Sequence, residues 1–172
     1  MKKITTVLNS EKTTLFLSPI LLVYFIIAFS FQSFSQNCNS TMKVSQDRDM
    51  QSAILGMPAK FDIELTNNSA SVQTYNIESA ASTKAFKVEG ESPVMLNNNY
   101  KLNSKILLNG FETTSISVPA HSTITFKTVV ALPDGTPINK WGVIELKARN
   151  KSCTDGTVST FLKVFARDPS EN

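Results

Sequence analysis

Hydrophobic and polar residues alternate with a period of two through most of the chain beyond residue 35. From Ala59 to Asn67 it reads A-K-F-D-I-E-L-T-N. Ala59, Phe61, Ile63 and Leu65 fall on one side, and Lys60, Asp62, Glu64 and Thr66 on the other, the pattern of a half-buried strand. Asn67-Asn68-Ser69 closes it with turn chemistry. The run Val72–Glu78 follows, with Tyr75 and Ile77 inward. Shorter strands are expected at Met42–Ser45, Ala85–Glu89 and Ser104–Leu108. Thr114–Val118 leads through Pro119-Ala120-His121 into Thr123–Val130, where Ile124, Phe126, Thr128 and Val130 share a side. After the turn signal Pro133-Asp134-Gly135-Thr136-Pro137, Trp141–Ala148 places Ile144, Leu146 and Ala148 opposite Glu145 and Lys147. In the last run, Ser159–Ala166, Phe161 and Phe165 share one face while Leu162 and Val164 share the other. With bulk on both faces, this strand is expected to lie centrally or to touch something beyond its sheet.

Short strands separated by turns about every ten residues predict an all-β fold, an antiparallel immunoglobulin-like sandwich of about seven strands over residues 36–166. No helical stripe of comparable strength occurs after Ser35. The Asn-rich stretch Glu91–Lys105 predicts a long loop or an irregular edge, and residues 167–172 a polar, disordered tail.

The first 35 residues have a different character. Lys2 and Lys3 precede an apolar run from Leu15 to Phe31, and Ser33-Phe34-Ser35 supplies small residues for a signal peptidase. A signal peptide helix cleaved after about Ser35 is expected, leaving Gln36 first. Asn37 before Cys38 disfavours lipoprotein processing. The alternative is a retained leader acting as an anchor, since the run is about long enough to span a bilayer, although Pro19 and Gln32-Ser33 favour removal. Export would place the mature chain in the periplasm, at the cell surface or in the medium.

Removing the leader takes the formal charge from +3 to about +1. The remaining cations are scattered among acids, so no nucleic-acid partner is expected. Membrane contact is expected only if the leader stays. Both cysteines, Cys38 and Cys153, lie beyond the leader, and an even pair in an oxidising compartment is most simply a disulfide.

The strand FDIELTNNSAS with TYNIE, the turn SVPAHSTITF and the run PDGTPINKWGVIELKA resemble immunoglobulin-like and fibronectin-type-III-like modules of exported bacterial proteins. The leader's Ser-Phe-Ser-Gln end and the abundance of Asn, Lys and Ile resemble proteins of Bacteroidetes-type bacteria. The resemblance covers roughly residues 59–166. Antibody-type domains carry their cysteines on facing central strands; here the bridge is expected to tether an end instead of pinning the sheets.

Little catalytic chemistry is visible. With His121 the single histidine, copper and zinc sites that need two or more lack their ligands. No Gly-x-Ser-x-Gly elbow supports a triad. Asp62 and Glu64 sit on an outward strand face, and Glu89 and Glu91 complete the carboxylates considered for glycoside hydrolysis. Asp47-Arg48-Asp49 carries its own countercharge and reads as a plain loop. No cofactor and no enzymatic activity are expected. Trp141 falls opposite its strand's inward set, which makes it the candidate ligand contact, with Tyr75 or Tyr100, for a carbohydrate-binding reading. The leading reading is a non-enzymatic module that binds or assembles with another exported or outer-membrane protein. The others are a carbohydrate-binding module and a membrane-anchored accessory subunit. Asn39, Asn67 and Asn150 begin glycosylation sequons.

Overall fold

The computed structural model describes residues 38–82, 84–86, 101–153 and 156–170. The expected signal peptide and cleavage site lie outside them, as do Tyr100, Glu89 and Glu91. Ten strands form two five-stranded sheets. The first has the order β1 (Ser40–Val44), β3 (Ala59–Asn67), β8 (Ser122–Ala131), β5 (Asn103–Leu108), β6 (Phe111–Glu112). The second runs β2 (Met50–Ala53), β10 (Thr157–Ala166), β9 (Lys140–Asn150), β4 (Gln73–Ala81), β7 (Ser115–Val118).

The alternation read from the sequence sets which side chains meet between the sheets. Phe61, Ile63 and Leu65 of β3 and Phe126 and Val130 of β8 pack against Tyr75, Ile77, Leu146, Leu162 and Val164 of the second sheet, all buried. Each such aliphatic or aromatic side chain contributes roughly 1.5–3 kcal/mol on burial. The outward residues of the first sheet are paired charges and hydroxyls: Lys127 with Asp62, Lys43 with Glu64, Thr66 with Thr123. The Glu64 carboxyl is held below the ordinary carboxylate range, first by a hydrogen bond from Ser45 and then by Lys43.

Three features depart from the expected seven-stranded antiparallel arrangement. There are ten strands, because β2, β6 and the edge pairings are too short to show a period. The hairpin β5–β6 turns on Asn109-Gly110, both at positive φ (53° and 87°), as a two-residue primed turn requires; that dipeptide was its sequence signal. And β2 runs parallel to β10, because the chain changes sheets. β1 pairs with Ile63–Asn67 only. A 3-10 turn at Ser45–Asp47, with Gln46 and Asp47 at positive φ, then carries the chain across to pair with Lys163–Ala166. The expected strand Ala85–Glu89 is described only at its first two residues, which lie outside the ten strands. At the other end, Arg167 donates its N–H to Ala53 and Asp168 accepts from Ser170, so the first residues of the expected tail carry hydrogen bonds.

At the end of the sandwich where β1 begins, a disulfide joins Cys38 to Cys153, whose Cα atoms are 6.3 Å apart. Cys38 precedes the edge strand of the first sheet and Cys153 lies between β9 and β10 of the second. The bridge therefore does more than tether an end: it fastens one sheet to the other at their rim. Gly156 makes this packing feasible, because a Cβ there would stand 2.9 Å from the Asn150 Cβ and 3.0 Å from that of Cys153.

Beside the bridge lies a buried polar cluster. Asn67 donates to the carbonyls of Ser71, Val118 and Pro119 and accepts from the Ser69 N–H and hydroxyl. Asn150 donates to Gln73, and Gln73 to Ser71. The sequon asparagines Asn67 and Asn150 are thus buried and already engaged, which leaves only Asn39 exposed.

Tyr75 is 1% exposed. Burial pushes its phenol above the ordinary value of 10.0, against smaller opposing hydrogen bonds. An acid whose folded pKa is raised contributes stability that is complete below the unfolded pKa and is lost as pH rises towards the folded one. Stability should therefore fall above about pH 10, and Tyr75→Phe should flatten that fall. Chemical unfolding at stepped alkaline pH checks this, and an equal slope in both proteins would contradict it.

Candidate functional site

The last two strands present an unusual outer face. The inward residues of β9 are Ile144, Leu146 and Ala148, so alternation turns Trp141 and Val143 outward. On β10, Leu162 and Val164 are inward, and Phe161, Lys163 and Phe165 face out. Apolar bulk on a solvent face is normally a cost, and here the chain covers much of it. After β4, Ser82 donates its N–H to the Val143 carbonyl (2.9 Å), and Lys84–Phe86 then lie over the face. Val143 is consequently 5% exposed although it stands outside the inter-sheet core.

The aromatic rings interlock. Trp141 packs on Phe165 with centroids 5.2 Å apart and a 49° tilt, and Phe86 meets Trp141 edge-on at 5.3 Å. Two ammonium groups sit on ring faces: Lys84 Nζ lies 4.6 Å from the Phe161 centroid and Lys163 Nζ 5.3 Å from that of Phe86. Lys163 also bonds Asp49 at 2.7 Å, a pair that is mostly shielded from solvent. Lys84 has no carboxylate partner among the described residues. Between these groups is an open cleft of about 290 Å³, lined by Asp49, Lys84, Phe86, Val143, Phe161 and Lys163.

Trp141, the candidate contact from sequence, is half-buried, with its ring against Phe86 and Phe165; it buttresses the cleft instead of standing alone on a flat face. Tyr75, considered as its companion, is in the core and cannot reach a ligand. The residues that shape the cleft, Phe161, Lys84 and Phe86, were not singled out as a site. The two-faced bulk of the last strand was their signal: β10 lies between β9 and, over Lys163–Ala166 alone, β2, and it contacts a segment beyond its sheet.

The remaining candidates are dispersed. His121 is an exposed turn residue at φ 51° whose N–H bonds the Ser69 carbonyl. Asp62 and Glu64 are paired with lysines on the opposite sheet's outer face. Asp49 is taken by Lys163, and Asp47 stands exposed in the crossover turn. Among the described residues no group of three or more His, Cys, Asp or Glu could hold a metal ion, and no helix is long and apolar enough to cross a membrane.

No family model matches the chain, and no curated protein matches it in sequence. Solved structures share its fold. A FixG-related protein from Vibrio parahaemolyticus superposes with a TM-score of 0.50 at 13% identity, over 75% of this chain and 97% of that one. PapD-like domain 7 of human CEP192 gives 0.43 at 9%, over 80% and 91%. The periplasmic chaperone SfaE gives 0.41 at 13%, over 76% and 57%. At 13% identity the likeness to the first of these is one of β-sandwich fold alone.

Proposed function

We propose that the chain is an exported, non-enzymatic protein-interaction module, released from its leader after about Ser35, whose partner docks at the aromatic cleft of the second sheet. The observation that carries this is the cleft itself: aromatic faces with a cation, Lys84, that has no carboxylate partner among the described residues, held by a covering segment on the outer face of the second sheet. Partially covered aromatics bearing a cation are the composition of interaction hot spots. The disulfide fits an oxidising compartment. The partner would be another exported or outer-membrane protein.

Affinity capture with the oxidised chain tests the docking site. Phe161→Ala should reduce recovery of a stoichiometric partner at least about tenfold, the scale of a hot-spot truncation. Phe111→Ala, at an exposed hairpin tip, should leave it unchanged. Loss in the second variant with retention in the first would move the interface away from the cleft. A carbohydrate reading draws on the same aromatic group, because Trp141 is only half-buried. Glycan-array binding that disappears in Trp141→Ala would select it over a protein partner.

A further inference from the structure

Among the described residues, half of one edge of β10 has no strand paired beside it. β9 pairs with all of Thr157–Ala166 without a bulge, whereas β2 reaches only Lys163–Ala166. Lys163 sends its N–H away from β9, to the Asp49 carbonyl at 2.8 Å, and Asn150 bonds Gly156 on the β9 side. Strand alternation then assigns the rest. Val158, Thr160 and Leu162 spend their backbone groups on β9. Thr157, Ser159 and Phe161 point theirs to the side where β2 has ended, and no described strand is paired there. Thr157 and Ser159 are exposed and Phe161 is half-exposed.

An unfilled edge of this kind is usually blunted by proline, a bulge or an inward charge, and β10 has none of these between Thr157 and Phe161. The edge is continuous with the cleft, because Phe161 belongs to both and Asp49, just before β2, closes the cleft where the edge becomes filled. The neighbouring Lys163 is neutralised by Asp49, so the cleft's charge comes from Lys84, poised over Phe161.

Resting on the interaction reading above, we infer that the open half of β10 accepts an extended segment of the partner protein as an added strand, with an acidic side chain of that segment paired to Lys84. The backbone at Thr157, Ser159 and Phe161 supplies donors and acceptors that no described strand meets, and an added strand satisfies them in register. An outward side chain of the added strand enters the cleft beside Phe161, where a carboxylate meets the Lys84 ammonium and an apolar neighbour covers the ring. Main-chain bonds supply the affinity and the Lys84 pair the choice of sequence.

A random twelve-residue linear peptide library displayed on phage and panned on the oxidised chain tests this. Enriched peptides should alternate apolar and acidic residues, and synthetic copies should protect the Ser159 and Phe161 amides from hydrogen exchange. Ser159→Pro removes an outward donor and leaves the β9 ladder intact; it should weaken binding roughly tenfold or more. Lys84→Glu should weaken acidic peptides and reselect basic ones. Should Ser159→Pro lower the melting temperature, N-methylation of the peptide at alternate positions probes the same bonds on the unaltered protein and should abolish binding at one parity only. Absence of enriched peptides, equal affinity for Ser159→Pro, protection elsewhere, or an edge filled by a second copy of the chain would each overturn the inference. Capture of the partner that is lost in Phe161→Ala but kept in Ser159→Pro would retain the cleft and remove strand addition.

Discussion

A chain carrying both Cys38→Ser and Cys153→Ser should lose about 2–5 kcal/mol of unfolding free energy, the usual cost of removing a native bridge from a small secreted domain. The bridge joins residues 115 apart in sequence, so the loop it removes from the unfolded ensemble is long, and chain-entropy arguments place the upper bound near ~4.7 kcal/mol. The fold adds a native-state reason. Cys38 anchors the start of β1, which pairs with only five residues of β3. Without the bridge, that strand and the β9–β10 connection lose their covalent tie at the rim. Guanidinium unfolding of the oxidised, the reduced and the doubly substituted chain measures this. The last two should coincide at a midpoint well below the first, and three equal midpoints would show that the bridge is energetically idle.

Asn67→Leu should be the most damaging polar substitution, costing about 3 kcal/mol at nearly constant volume. Asn67 is 0% exposed, and its side chain ties the β3–β4 turn to the β7–β8 turn through the carbonyls of Ser71, Val118 and Pro119. Leucine satisfies none of them and leaves the Ser69 N–H without its acceptor, while the Ser69 hydroxyl keeps only the Ser71 carbonyl. Asn67→Asp should be worse at neutral pH, where a carboxylate would face three carbonyl oxygens. Its deficit should shrink in acid as the carboxyl is protonated and can donate. Denaturant titrations of both variants at neutral and acidic pH test the pair. A loss below about 0.5 kcal/mol in Asn67→Leu, the range of ordinary surface changes, would mean that water replaces the lost bonds.

The turn sequence Asn67-Asn68-Ser69 showed in advance where β3 ends, but not that its first asparagine is the most connected buried polar side chain of that end. The same division runs through the site. Alternation placed Trp141 on an outward face, and it is there; for Phe161 it showed only a face opposite Leu162 and Val164, which packing between the sheets makes the outward one. Whether an outward aromatic is bare or covered depends on a segment more than fifty residues earlier, Lys84–Phe86, whose sequence shows no period that announces a cover. Tyr75 illustrates the reverse: its inward assignment already argued against a sugar contact, and its burial removes it.

What the chain's pattern alone determined was local and periodic: which residues face inward, where most strands lie, and that the two cysteines would pair. These follow from a two-residue repeat and from composition, which need no knowledge of neighbours. The tertiary structure decided which edges meet. It placed β2 parallel to β10, stopped that pairing at Lys163, put the disulfide across the rim between the sheets, and laid Lys84 and Phe86 over β9 and β10. Each of these depends on residues far apart in sequence coming together, and such pairings are selected by the packing of the whole sandwich, not by the periodicity of any one strand.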